Sequence, residues 1–166
     1  LGAGDSIAGL TQSFASKNVL GANGSTLQVD AGYTVHDSNG GANYTITLDT
    51  SPGTITPAPL TVSTNAVNRT YDGTTNASGS AVVTGGSLFG GDALAGGSFA
   101  FVSKNVGSNV TVNVSGVSVS DGNGGANYSL TQAPNNTSNI TQAGINITGV
   151  TANNRENGRA TWRERV

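Results

Sequence analysis

Val110-Thr111-Val112-Asn113-Val114-Ser115-Gly116-Val117-Ser118-Val119-Ser120 alternates apolar and polar residues, with one break of parity at Ser115-Gly116. A period of two sends successive side chains to opposite faces of a strand, whereas a helix needs 3.6. The β-branched residues also suit a pleated surface. A bulge or bend at Gly116 would return all the valines to one face. The same period runs through Leu27, Val29, Ala31, Tyr33 and Val35, through Phe99 and Phe101, and through Ile145 and Ile147. The first of these stretches has one residue more than its counterpart and unbroken parity, so the two are expected to differ in bulge state.

Recurrence sets the next level of organisation. Gly4-Asp5 returns as Gly91-Asp92 and Ser16-Lys17-Asn18-Val19 as Ser103-Lys104-Asn105-Val106, both 87 residues later. Gly40-Gly41-Ala42-Asn43-Tyr44 returns as Gly124-Gly125-Ala126-Asn127-Tyr128 after 84 residues, and Ile55-Thr56 as Ile140-Thr141 after 85. The order is kept, and small insertions in surface turns account for the drift. Residues 1–57 thus read as the C-terminal two-thirds of a repeat, 58–142 as a complete repeat, and 143–154 as the start of a third. Thr56-Pro57-Ala58-Pro59-Leu60 forms the junction, where the prolines favour a short, stiff, extended connector.

Turn signals such as Asn23-Gly24, Asp72-Gly73 and Asp121-Gly122-Asn123-Gly124-Gly125 separate the strands. About seven short strands per repeat predict an all-β fold of tandem small antiparallel sandwich-like units. A β-grasp-like sheet or a β-solenoid is the alternative. The expected core of the full repeat is Leu60, Val62, Val67, Tyr71, Val82, Val83, Leu88, Phe89, Leu94, Phe99, Phe101, Val106, the valines of 110–119, Tyr128, Leu130 and Ile140.

Composition narrows the function. Gly, Asn, Thr and Ser make up 83 of 166 residues and charged residues only 10%, too few helix formers for a bundle. There is no Cys, one His and a net charge of -2, which argues against disulfides, thiolate chemistry and general attraction to nucleic acid. No apolar run is long enough for a membrane-spanning helix. Four of the seven basic residues, both glutamates and the single Trp fall in residues 155–166, which read as a foreign or artefactual tail; a basic arm for an anionic partner is the alternative.

Candidate chemistry is sparse. His36, Asp37 and Ser38 are neighbours only in sequence, and adjacent strand residues face opposite ways, so a triad would need another Ser and Asp from elsewhere. Ser120 stands where the second copy would have His36. The loops from Asp37 and Asp121 offer hard oxygen ligands for Ca²⁺, but lack EF-hand spacing and its bidentate Glu, so a hairpin turn is the favoured reading. Eleven Asn-x-Ser/Thr sequons exceed the four or five expected from composition; strand alternation explains part, and glycosylation is the sharper alternative.

The block Asn68-Arg69-Thr70-Tyr71-Asp72-Gly73-Thr74-Thr75 resembles the signature of the YDG repeat domain. Phe101-Val102-Ser103-Lys104-Asn105-Val106-Gly107, Gly124-Gly125-Ala126-Asn127-Tyr128-Ser129-Leu130 and Ile140-Thr141-Gln142-Ala143 resemble its later blocks. After Asn153-Asn154-Arg155 the pattern predicts another Tyr-Asp-Gly-Thr-Thr, yet the chain has Glu156-Asn157-Gly158-Arg159. The resemblance implies a tandem repeat of large secreted bacterial surface proteins, many of them filamentous-haemagglutinin-like adhesins exported by two-partner secretion and associated with the outer membrane. It brings no catalytic residue, cofactor or metal.

The motif residues Tyr71, Asp72, Gly73, Lys104, Asn105, Val106, Asn127 and Tyr128 are therefore expected to be structural. Tyr71 is expected to bury its ring, Asp72-Gly73 to form a turn, and Asn105 to be left-handed in a solvated turn; the alternatives are a ligand-contacting Tyr71-Asp72 pair and a glycan contact by Lys104 and Asn105. The expected function is a non-enzymatic stalk repeat of an adhesin, with direct carbohydrate or matrix binding as the runner-up. Its expected partners are neighbouring repeats of the same chain, and host or matrix glycans in the second case.

Overall fold

The computed structural model describes residues 1–149. The expectations for the tail, 155–166, and for the last part of 143–154 lie outside the described residues. The described chain is all-β. Its strands are β1 (Ser6–Ala8), β2 (Gln12–Phe14), β3 (Ser25–Val29), β4 (Thr34–His36), β5 (Ser51–Gly53), β6 (Ala58–Thr64), β7 (Asn68–Thr70), β8 (Ala81–Gly85), β9 (Ala93–Phe101), β10 (Gly107–Ser120), β11 (Tyr128–Gln132) and β12 (Asn135–Thr141). They form sheets β1-β4, β2-β3-β5, β7-β12-β10-β9 and β11-β6-β8. Among the described residues, no ladder joins a strand before residue 57 to one after it.

The opening valine stretch is β10. In the β9–β10 ladder, Val112 faces Phe101, Ser115 faces Ser98, Val117 faces Gly96 and Ser120 faces Ala93, in one unbroken register. The parity break is therefore a bend without a bulge. Gly116 has φ +66°, and Gly97 lies opposite it at +115°. A Cβ on Gly97 would come within 2.8 Å of Phe99 Cζ, so the bend needs glycine on both strands.

The corresponding first-copy hairpin differs. Ala8 and Gln12 are four residues apart while their partners, Thr34 and Val29, are five apart. That extra residue, beside Gly32 at φ +108°, splits the expected continuous strand 27–35 into β3 and β4 and leaves Ala31 exposed. The two copies do differ in bulge state, because one inserted residue cannot be absorbed without breaking the ladder.

Alternation gives period but not direction. Two ladders are parallel: β11 with β6, where Leu130 meets Leu60, and β12 with β7, where Ile140 meets Arg69. Pro59 lies in β6 before its pairing with β8 begins at Thr61, where its missing N–H costs no ladder bond on that side.

β10 supplies both cores. Val117 and Val119 pack with Leu60, Val62 and Tyr128, between the β7-β12-β10-β9 and β11-β6-β8 sheets. Val112 packs with Val67, Phe101 and Ile140. Four expected core residues are exposed instead: Tyr71, Val83, Phe89 and Val106, at 38, 37, 60 and 49%. Tyr71, Phe89 and Val106 lie in the connections beyond strand ends, outside the sheet interface that covers apolar groups.

Leu60→Ala should cost about 2–5 kcal/mol in urea unfolding, because the site is closed on all sides. Val106→Ala should stay within about 0.5 kcal/mol.

Candidate functional site

Two identical devices recur. Asp121 is buried, and its carboxylate accepts backbone N–H bonds from Asn123 at 2.7 Å, Gly125 at 2.8 Å and Asn127 at 3.0 Å. Asp37 does the same with Asn39 at 2.9 Å, Gly41 at 2.7 Å and Asn43 at 3.0 Å. In both loops the carboxylate folds its own backbone around itself. The second device follows each loop. Tyr128 Oη accepts from Phe89 N and donates to Asp92 Oδ2, both at 2.8 Å. Tyr44 Oη accepts from Gly2 N at 2.6 Å and donates to Asp5 Oδ2 at 2.5 Å.

The first copy's Ser16-Lys17-Asn18-Val19 block docks on the second copy's devices. Lys17 Nζ reaches Asp92 Oδ1 at 2.9 Å. Val19 N donates to Asn127 Oδ1 at 2.8 Å, and Val19 O accepts from Asn123 Nδ2 at 3.0 Å. Asn127 Nδ2 donates to Asn18 Oδ1 at 3.1 Å. Side-chain amides thus satisfy both backbone groups of Val19, as a neighbouring strand would. Of the Lys17–Asp92 pair only the lysine is exposed, while the Asp92 side chain is 8% exposed, so salt screens the pair from the lysine side. Ile55, Thr56 and Phe89 line the same junction.

The motif residues divide between two places. Asn127 and Tyr128 belong to this contact. Tyr71, Asn105 and Val106 instead line a groove of about 420 Å³ with Gln142, Ala143 and Ile145. Tyr71 keeps its ring exposed, contrary to expectation, because it lies just past β7 and only its N–H is held, by Thr141 O at 2.9 Å. Tyr128 is the tyrosine that buries its ring. Asp72 closes its turn by accepting from Thr74 N at 2.9 Å and from Arg69 Nη1 at 2.6 Å. The Arg69 guanidinium lies 5.0 Å over the Phe101 ring, which ties the turn to the core. Gly73 is in that turn. Lys104 is exposed, and Asn105 N donates to Ser103 Oγ at 3.1 Å. Asn105 does not have positive φ; Asn109, at φ +54°, is the left-handed asparagine of this region. His36 is exposed on β4.

Sequence reading missed Lys17, Asn18, Val19, Asp92 and Asn123 as contact residues. The signal was present as recurrence of their blocks, but recurrence does not say which block touches which.

The carboxylates are held below their ordinary range: Asp92 chiefly by Lys17's hydrogen bond, and Asp37 chiefly by the Gly41 N–H. At Asp121 burial acts upward, and the backbone donors together outweigh it. Folded values below the unfolded value of about 3.9 mean that this stability is present above that pH and is lost on acidification. Thermal melting should be flat from about pH 7 to 5 and fall below about pH 4. Asp121→Asn should lower melting at neutral pH and make the acid limb shallower.

Residues 56–137 match the family model of the YDG domain. No curated protein and no solved structure matches the chain.

Proposed function

We propose that the chain is a run of non-enzymatic β-modules in series, forming part of the stalk of a large secreted bacterial surface adhesin. The stalk holds a binding region away from the cell. The docking of Lys17-Asn18-Val19 on Asp92, Asn123 and Asn127 carries this reading. A contact of this kind couples successive modules by side chains as well as by the peptide link, and a spacer needs that stiffness. Structure built from nearest-neighbour contacts is how serial repeats extend. The YDG domain at 56–137 is consistent with a repeat role.

A second reading has one observation in its favour. The groove of Tyr71, Asn105 and Gln142 offers an aromatic face beside amide groups, which suits a sugar. A host and matrix glycan array separates the two, and the full chain is expected to bind nothing. Saturable binding lost in Tyr71→Ala would replace the stalk with an adhesion module. Spin labels at Thr11 and Thr84 give the second readout. Their distance distribution should be narrow in the native chain and broad in Lys17→Glu. Equal breadth in both would remove the stiffness argument.

A further inference from the structure

The segment that holds β6 and β7 runs parallel to the segment that holds β11 and β12. In one ladder Ala58 pairs with Tyr128 and Val62 with Gln132; in the other Asn68 pairs with Asn139 and Thr70 with Thr141. The bonds continue past the strand ends. Ala58 N donates to Asn127 O at 2.9 Å, Ala133 N to Val62 O at 2.8 Å, and Tyr71 N to Thr141 O at 2.9 Å.

Between these ladders both segments leave one sheet and enter the other, and side chains close the gap. Asn135 Nδ2 donates to Thr64 O at 3.1 Å, and Val67 N donates to Ser138 Oγ at 2.9 Å. Ser138 Oγ in turn donates to Asn135 Oδ1 at 2.9 Å, so the two links support each other. Ser138 is 0% exposed, and a hydroxyl buried so completely needs the partners these bonds give it. Leu60, Val62 and Ile140 belong to the same two segments and are fully buried, so apolar packing keeps water from these ladders on their inner side.

We propose that this paired ladder is a mechanical clamp that lets residues 58–142 resist tension along the chain. The proposal deepens the stalk reading and rests on it for the source of that tension. A pull on both ends of the unit draws 58–70 toward Ala58 and 128–141 toward Thr141. In parallel strands those two pulls slide one strand past the other, so the bonds between them bear load together. Strands pulled apart from adjacent ends instead peel one bond at a time. The chain between Thr70 and Tyr128 lies inside the clamp, so β8, β9 and β10 take up tension only after the clamp fails. Asn135 and Ser138 carry the clamp across the change of sheet, where it would otherwise divide into two short ladders that fail in turn.

The chain has no Cys, so a pair of introduced cysteines gives handles at chosen points of the full chain for single-molecule pulling. Pro57→Cys with Gln142→Cys loads the ladders in shear. Pro57→Cys with Ala126→Cys pulls apart the adjacent starts of β6 and β11. All three positions are exposed, so folding should be kept. At one pulling rate the rupture force should be severalfold higher in the first geometry than in the second. Ser138→Ala should lower the first force and leave the second unchanged, whereas a hydroxyl with a merely structural role would lower both. If Ser138→Ala does not fold, Asn68→Ala gives the same comparison by removing the exposed Asn139–Asn68 bond of 2.7 Å. Equal forces in the two geometries overturn the proposal, as does a variant that lowers both forces alike. Equal forces with a silent glycan array would sink the clamp and leave the stalk reading standing. Saturable glycan binding with a direction-dependent force would remove the stalk and keep the clamp.

Discussion

The Asp121 carboxylate organises the second copy. By gathering three backbone N–H groups it turns residues 121–127 into a loop of one shape. That shape delivers Tyr128 inward, where its ring joins the core and its hydroxyl holds Phe89 and Asp92. It delivers Asn123 and Asn127 outward, where they grip the backbone of Val19. One buried acid therefore links core packing, loop geometry and the contact between copies. A buried carboxylate is costly unless its lone pairs are met, and here backbone donors meet them.

β10 has a comparable place in the packing. Its length lets Val112 serve one apolar cluster and Val117 and Val119 the other. A straight strand would send Val112 and Val117 to opposite faces. The bend shared by Gly116 and Gly97 reconciles them while keeping the register with β9. The first copy reaches a related shape with an extra residue, at the cost of a divided ladder.

Part of the exposed apolar surface lies at the junction between the copies or in a groove. Phe89 lies at the formed junction, and Tyr71, Val106 and Ile145 line the open groove at the far end of the second unit. Ile46 and Leu48 are also exposed.

Period-two patterning by itself determined the all-β class, since no helix can keep those valines on one side. Recurrence set the expected unit length, paired equivalent residues and led to the expectation that the two hairpins differ at one inserted residue. Local chemistry determined the Asp72 turn, because Asp, Gly and Thr close such a turn within a few residues. Only the tertiary structure decided the direction of the β6–β11 and β7–β12 ladders, because alternation is the same for parallel and antiparallel neighbours. It alone decided that Tyr128 is buried while Tyr71 is not, since burial depends on which sheet faces a ring. The contact of Lys17-Asn18-Val19 with Asp92, Asn123 and Asn127 likewise spans 75 to 109 residues of chain. No local pattern encodes such a pairing, because it exists only once two folded surfaces are brought together.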